Sequence, residues 1–368
     1  MSRRGVRLQQ VVDGLRSEGL LPEDSEDTIA EFFEKLRDTQ PWYIRTMVGF
    51  GAWLASLLLI GFVASIGFAA DVGFVIVGIL FLGGAIFARM KSASDFIVQS
   101  ALASSLAGQA VLAYGIVEMS GGHDFEAVLG IVIILNAILF FVFPDRIHRV
   151  LSIVIATSSL TVLLYSRELN AVVPVLGPAV TAAMIILYQK LGLSIEKGKG
   201  HLVRPLITGL MISAFGFLLL STVYILPELR LEFAFYPRPW ISTLLLGALL
   251  LYTGSQVLPQ IGVSAGTPQA AVFYGLLALI TAAAWSAPGL LLALIVILLG
   301  TSSGNRAFNG AGIAFLVVFI AAYFYGIQVS MLSKSISLVA SGAAVLVSRW
   351  LFLKLVAATA EAGEDHVQ

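Results

Sequence analysis

The sequence lacks cysteine altogether, and this absence removes several classes of chemistry. None of the 368 residues is a cysteine, which excludes disulfide bonds, thiolate metal sites, iron–sulfur clusters and cysteine nucleophiles. Only four histidines occur, at positions 123, 148, 201 and 366, and their positions place them in different loops and a tail. We therefore predict no metal site and no cofactor.

Charge is also scarce. Charged residues make up 12% of the chain and hydrophobic residues 58%, whereas a soluble domain typically has about 25% charged residues and is under half apolar. Folding alone cannot remove this much apolar surface from water, so the composition indicates an integral membrane protein. The formal net charge is zero, and no run of like charge indicates nucleic-acid binding.

The apolar residues form segments long enough for membrane-spanning helices. A hydrocarbon core of about 30 Å needs roughly 20 apolar residues per helix. This length predicts an all-α fold, a polytopic transmembrane helix bundle of about twelve spans. The sequence SAPG at 286–289 divides the ninth and tenth segments, and the tenth is short, so whether both cross fully is open. The predicted spans are 46–69, 72–88, 96–117, 126–143, 149–166, 171–190, 205–226, 240–258, 270–286, 289–301, 311–331 and 336–354.

The distribution of cations predicts the orientation of these spans. Lys and Arg are retained on the cytoplasmic side of membrane proteins. With the N-terminus inside, eighteen of the 22 cations fall in inner segments, and four fall outside: Arg167, Arg230, Arg238 and Lys334. We therefore predict that both termini are cytoplasmic and that the number of spans is even.

The chain divides into an arm, a membrane domain and a tail. Residues 1–45 are polar and contain two stretches with helical apolar spacing, which predicts a cytoplasmic arm of short amphipathic helices. Residues 46–354 form the transmembrane domain, and residues 355–368 form a cytoplasmic tail. The membrane domain has six spans on either side of one long loop, a layout familiar from transporters. Its parts are a first half at 46–190, a basic cytoplasmic loop at 191–204 and a second half at 205–354.

No ionisable side chain is predicted near the middle of a span, whereas uncharged polar side chains do occur there. A lone charge at membrane depth costs at least about 2.5 kcal/mol and often marks an ion pathway. The absence of such a charge is evidence against a pump with a carboxylate relay. The amides at depth have two interpretations: hydrogen bonds between helices, or a polar cavity for a neutral or amphipathic ligand. The candidate amides are Gln99, Gln109, Asn136 and Gln256.

Prolines and small residues predict how the helices are shaped and packed. Pro174 and Pro178 remove two backbone donors within about one turn, which predicts a kinked or broken sixth span. Small residues spaced four apart allow helices to approach closely. Two such pairs are Gly209 with Ser213 and Ala271 with Gly275.

Two short motifs resemble those of hydrolases, but their settings do not favour catalysis. GVSAG at 262–266 matches a nucleophile pattern that requires a strand-to-helix turn beside a histidine and an acid. Ser264 has neither a strand nor a histidine near it in sequence. In SKS at 333–335, the adjacent side chains point in different directions. We therefore expect no enzymatic activity, and an intramembrane enzyme is the third of three alternatives.

Two stretches of the membrane domain look familiar. PWYIRTMVGFGAWLASLLLIGF (41–62) opens this domain, and the stretch 304–351 closes it. The second stretch contains Tyr323, Phe324 and Tyr325, followed by Leu332, Lys334, Ser335, Gly342 and Arg349. Together they resemble the bacterial membrane proteins grouped as domain of unknown function 4401 (DUF4401), over residues from about 30 to 354.

The resemblance implies a location and a partner, but no activity. It implies the bacterial inner membrane, and association with another membrane protein that is encoded nearby and carries a Gly-Asp-Tyr signature. Gly326 stands where a polar or acidic residue is expected after the aromatic residues. This departure argues against an active site in that stretch.

Lys334 is the basic candidate residue near a predicted span end. A full span counted from Asn309 ends near Met331, which places Lys334 at the outer rim of the membrane. We predict that it pairs with an acidic helix end or with a lipid phosphate, and that Tyr325, near mid-span, packs against neighbouring helices. The acidic candidates are Glu118, Glu126 and Glu168.

The sequence favours a non-enzymatic assembly partner or scaffold in a membrane complex. The polar arm, the small-residue pairs and the lack of charge at depth support this interpretation. A transporter, flippase or channel for a neutral or lipid-like substrate is the alternative, supported by the layout of six and six spans and by the amides. In each case the expected surroundings are the lipid bilayer and other membrane proteins, without nucleic acid.

Overall fold

A computed structural model describes residues 71–91, 95–223, 238–261, 263–264, 266–285 and 287–326, with scattered positions between 47 and 61 and between 332 and 350. Every regular element in these residues is a helix. A short 3₁₀ turn, Leu258–Ile261, directly follows the α-helix Pro239–Val257. The α-helices are α1 Asp71–Lys91, α2 Asp95–Met119, α3 Phe125–Val142, α4 Arg146–Ser166, α5 Val173–Gln189, α6 Leu191–Glu196, α7 Gly200–Val223, α8 Pro239–Val257, α9 Pro268–Ala283, α10 Pro288–Ser302 and α11 Arg306–Gly326.

The long helices coincide with the ten predicted segments between residues 72 and 331. The largest differences are at α7 and α11, which begin at Gly200 and Arg306 rather than at 205 and 311. The predicted loop over 191–204 contains the short helix α6 and the first turn of α7. The predicted first and last spans, the N-terminal arm and the C-terminal tail lie largely or wholly outside the described residues.

These helices have the length and surface of membrane-spanning elements. Six are long and apolar enough to cross a bilayer: α1, α2, α3, α4, α7 and α8. Four shorter apolar helices, α5, α9, α10 and α11, accompany them. Large apolar side chains face outward, among them Leu80 at 67% and Phe141 at 67% exposure. A soluble protein rarely exposes contiguous apolar surface, so these faces are suited to lipid. The protein is a helical membrane protein.

The chain forms two compact units, Met1–Ile116 and Val117–Gln368. In unit 1, glycines bring α1 and α2 close together: a Cβ added at Gly78 would lie 2.7 Å from the backbone nitrogen of Leu112. The ring of Phe74 meets that of Tyr114 edge-on at 5.2 Å. The boundary between the units differs from the predicted boundary between halves, which was based on loop length alone.

Unit 2 is built around α10. Four of its side chains, Leu291, Leu292, Ile295 and Val296, are fully buried, and their spacing places them on one broad face of the helix. Neighbouring helices α7, α8 and α11 pack against α10. With 15 residues, α10 is about 22 Å long, shorter than the roughly 30 Å hydrocarbon core.

Contacts between helix ends give unit 2 two chemically different ends. The ring of Tyr188, at the end of α5, lies 4.7 Å from that of Phe308 at the start of α11. Arg149, at the start of α4, contacts His201 at the start of α7. We call this the basic end of unit 2. Its cations are Arg146, Arg149, Lys190, Lys197, Lys199, Arg204 and Arg306, whereas the described residues at the opposite end include Arg167 and Arg238.

Candidate functional site

The acidic candidates lie at helix ends, away from the basic end. Glu126, in the first turn of α3, forms an ion pair with Arg167, which follows α4; their side chains are 33% and 62% exposed respectively. Glu168 is exposed and has a left-handed backbone conformation, with φ 59°. Glu118 is exposed near the end of α2. Lys334 lies outside the described residues, so its pairing with these acids stays a prediction.

The amide candidates differ in burial and in hydrogen bonding. Gln109, near the middle of α2, is 6% exposed, and neither of its side-chain polar atoms has a hydrogen-bond partner among the described residues. Asn136 is 1% exposed, and its amide nitrogen donates to the Val132 carbonyl at 3.0 Å, within its own helix. Gln99 is half-buried and Gln256 is exposed close to the end of α8. Tyr325 belongs to the last turn of α11.

The structure brings none of these amides together in one described contact. Among the residues that the structure describes, no group of three His, Asp or Glu side chains could hold a metal ion. The described polar contacts that join helices involve other residues, and several of them use a carbonyl four residues before a proline.

The prolines of α5 do not break the helix, contrary to one form of the prediction. Pro174 lies in the first turn, where a missing N–H leaves no intrahelical bond unmade. Pro178 lies inside α5, and its missing N–H leaves the carbonyl of Pro174, four residues earlier, without the usual backbone donor. The hydroxyl of Ser242, buried at the start of α8, donates to this carbonyl. The proline thus creates an acceptor that a neighbouring helix uses.

At the basic end, Arg149 donates hydrogen bonds to two further carbonyls that lie four residues before a proline. Its Nε donates to the carbonyl of Phe140 at 3.0 Å, and one terminal nitrogen donates to the carbonyl of His201 at 3.2 Å. These carbonyls lie four residues before Pro144 and Pro205, neither of which has an N–H to offer. One guanidinium therefore joins the end of α3, the start of α4 and the start of α7. We call these acceptors proline-freed carbonyls.

Another contact between helix ends lies at the opposite end of unit 2. Thr243, in the first turn of α8, donates to the Trp285 carbonyl at 3.0 Å and lies 3.4 Å from that of Ala284. The Ala284 carbonyl also accepts from the backbone N–H of Ala287 at 2.8 Å. Beside it the rings of Trp240 and Trp285 stack at 6.4 Å, both partly exposed. Exposed tryptophans are typical of the membrane–water interface.

His148 was predicted in a loop but lies buried in the first turn of α4. Its ring stacks on Phe143 at 4.0 Å, and its Nδ1 lies 3.2 Å from the hydroxyl of Ser152. The carboxylate of Asp145 caps the helix by accepting from the backbone N–H of Ile147 at 2.9 Å and of His148 at 3.0 Å. This cap fixes the position of Arg149 one residue further on.

Sequence reasoning missed Arg149, Ser242 and Thr243 as contact residues. For Arg149 and Ser242, the available signal was a proline near a helix end or inside a helix, because it leaves the carbonyl four residues earlier without a backbone donor. This signal identifies the acceptor, but the donor comes from a residue far away in sequence, which a single sequence does not reveal.

Comparison with known proteins gives one match. The family model described as Domain of unknown function (DUF4401) matches residues 41–355. Neither the search of curated proteins nor that of solved structures gave a significant match. Since the family model covers most of the chain, as the two stretches at 41–62 and 304–351 predicted, this multi-pass membrane protein belongs to the DUF4401 family.

Proposed function

We propose that this chain is a non-enzymatic assembly component of a membrane complex in the bacterial inner membrane. The observation that carries the proposal is how the buried polar groups of unit 2 are used. Thr181 donates to Gly177 of its own helix at 2.8 Å, and Thr157 contacts Ser213 across α4 and α7 at 2.8 Å. These described hydroxyls thus satisfy a carbonyl of their own helix or join two helices.

The buried apolar face of α10 supports the same proposal. Its side chains belong to a packed apolar core, in which the rings of Phe215 and Phe315 stack at 3.6 Å. A packed centre of this kind is suited to a rigid body. Transport through unit 2 would require this core to open.

One outer face of α9 is suited to contact with another membrane helix. Its exposed residues include the small Ala271, Gly275, Ala278 and Ala282, with the larger Leu279 beside them. Among the described residues, no atom lies within 4 Å of a Cβ added at Gly275. The predicted packing pair Ala271 and Gly275 therefore has no described partner within the chain, whereas the other pair does: a Cβ at Gly209 would lie 2.8 Å from that of Ile153. The proposed occupant is a transmembrane helix of a second membrane protein, because small residues permit close helix approach.

The test is affinity purification of the full chain from native membranes, with proteomics and lipidomics on the same sample. Gly275→Leu places a large side chain on the proposed face without a clash in the chain. Gly216→Leu is the matched control, since Gly216 is also exposed, helical and open. We expect a stoichiometric membrane protein to be retained by G216L and lost with G275L. Equal retention by both variants would contradict a docking role for α9.

The proposed topology has twelve spans with both termini cytoplasmic. The cations gathered at the basic end of unit 2 support a cytoplasmic position for that end. Because the chain has no cysteine, single-cysteine variants can be labelled cleanly. In spheroplasts, an impermeant maleimide should label Asn170→Cys and leave Lys199→Cys unlabelled until the membrane is opened. The reverse pattern would invert the proposed orientation.

Transport of a neutral or lipid-like substrate is the second candidate, and Gln109 is the observation that favours it. A buried amide with no described partner is costly, so a bound ligand would relieve it. If Gln109 serves a ligand, Gln109→Leu should abolish binding of that ligand without lowering stability. A bound lipid that co-purifies with the wild type and is lost only in Q109L would favour transport over assembly.

A further inference from the structure

The segment between α5 and α7 carries positive charge that the described bundle does not neutralise. Lys190, Lys197 and Lys199 are exposed, as is Arg204 near the start of α7, and Glu196 is the acidic residue among them. None of the three lysines forms an ion pair with a described residue. The charge therefore faces outward at the basic end of unit 2.

The same segment exposes apolar side chains. In α6, Leu193 is 59% exposed and Ile195 is 44% exposed. Both flanking helices, α5 and α7, are apolar, which favours a position of α6 at the edge of the hydrocarbon. A short helix with apolar side chains beside lysines is suited to the headgroup boundary, where lysine chains reach outward to phosphates.

The backbone around these lysines is fixed by hydrogen bonds. Gly198 has φ +69° and ends α6 in a Schellman motif, in which the Lys199 N–H donates to the Ser194 carbonyl at 2.8 Å. The Nδ1 of His201 lies 3.0 Å from the Gly198 carbonyl, and Arg149 holds the His201 carbonyl in turn. The lysines thus project from a built turn anchored to α4.

We propose that segment 190–204 binds the headgroups of anionic phospholipids. The three lysines contact the phosphate, and the apolar side chains of α6 contact the adjoining acyl chains. Charge complementarity selects an anionic partner, because each lysine near an anionic surface contributes about 1 kcal/mol. The apolar pair selects a lipid over a soluble phosphate, which would gain nothing from Leu193 and Ile195. This site depends on neither assembly nor transport.

The test uses the full-length protein, delipidated in neutral detergent and titrated in native mass spectrometry with dioleoylphosphatidylglycerol or dioleoylphosphatidylcholine. K190Q/K197Q/K199Q should weaken phosphatidylglycerol binding by at least about tenfold and leave phosphatidylcholine binding unchanged. K190R/K197R/K199R keeps the charge and should bind like the wild type. Unchanged phosphatidylglycerol binding by the glutamine variant, or equal losses for both lipids, would overturn the proposal.

A second variant separates a lipid site from a phosphate site. L193S/I195S changes exposed side chains only and should weaken phosphatidylglycerol binding several-fold. Excess soluble glycerol 3-phosphate should fail to displace the lipid from the wild type. If glycerol 3-phosphate displaced it at equal concentration, or if L193S/I195S bound as the wild type does, the site would not be a lipid site. Thermal unfolding of each variant is measured alongside, and similar midpoints are expected because all five side chains lie at the surface.

Discussion

Arg149 donates a hydrogen bond to the backbone carbonyl of His201, 3.2 Å away on another helix. This carbonyl has no backbone donor of its own at the usual position, because residue 205 is a proline. The guanidinium of Arg149 supplies a donor in place of the N–H that Pro205 lacks. Pro205 leaves the His201 carbonyl without a backbone donor, and Arg149 donates to this carbonyl and so joins two helices. The same relationship holds for Pro178 and Ser242.

Replacing Arg149 should destabilise the fold through these two carbonyls. We expect Arg149→Met to lower the free energy of unfolding by about 1–3 kcal/mol, since hydrogen bonds from charged donors are among the stronger ones. The measurement is unfolding in mixed detergent micelles, followed by tryptophan fluorescence. Arg146→Met is the control, because Arg146 is exposed in the same turn and should change stability little.

A double-mutant cycle isolates the role of the proline. Pro205→Ala restores an N–H that can reach the His201 carbonyl, so Arg149→Met should cost less in that background, by about 1 kcal/mol. An equal cost of Arg149→Met with and without Pro205 would refute the explanation, even if Arg149 proved important.

Ser242 allows the same test inside the bundle. Ser242→Ala leaves the Pro174 carbonyl without its hydroxyl donor, and we expect a loss of about 1–3 kcal/mol in unfolding free energy. In a Pro178→Ala background the loss should shrink, because the new N–H can bond to that carbonyl within α5. Thr181→Val is the control: Thr181 donates to Gly177, whose carbonyl already has a backbone donor in position. A loss for Thr181→Val as large as that for Ser242→Ala would contradict the argument.

The positions of the helices could be predicted from sequence, because length and apolarity alone determine which segments suit a bilayer. The division at SAPG is an example: α9 ends at Ala283 and α10 begins at Pro288, close to the predicted boundaries. The helix α6 within the loop at 191–204 was not predicted, because a basic, glycine-containing segment indicates a turn. Short helices of this kind have too few residues for periodicity to be recognised.

The contacts could not be predicted, because they depend on which helices are neighbours. Pro178 was recognised as a helix-disturbing residue, but its consequence depends on Ser242, which is distant in sequence. Glu126 was proposed as a rim acid, and its described partner is Arg167, a residue known from sequence only as an outer cation. Gln109 was predicted as an amide at depth, yet only the structure shows that it is buried without a described partner.

Glycines at helix contacts give a prediction about the hairpin of α10 and α11. A Cβ added at Gly300 would lie 2.6 Å from the backbone nitrogen of Asn309, and a backbone atom cannot move aside without shifting α11. We expect Gly300→Ala to lower the free energy of unfolding by about 1–3 kcal/mol, the usual cost of overpacking. The same unfolding measurement applies.

Gly310→Ala is the matched control for this contact. Gly310 is helical and exposed, and among the described residues no atom lies within 4 Å of an added Cβ. Alanine is favoured over glycine in a helix by about 1 kcal/mol, so Gly310→Ala should leave stability unchanged or raise it. The two substitutions add the same methyl group to the same hairpin, so their opposite effects would isolate the close helix contact. If Gly300→Ala were as well tolerated as Gly310→Ala, α10 and α11 could not approach each other as closely as the structure has them.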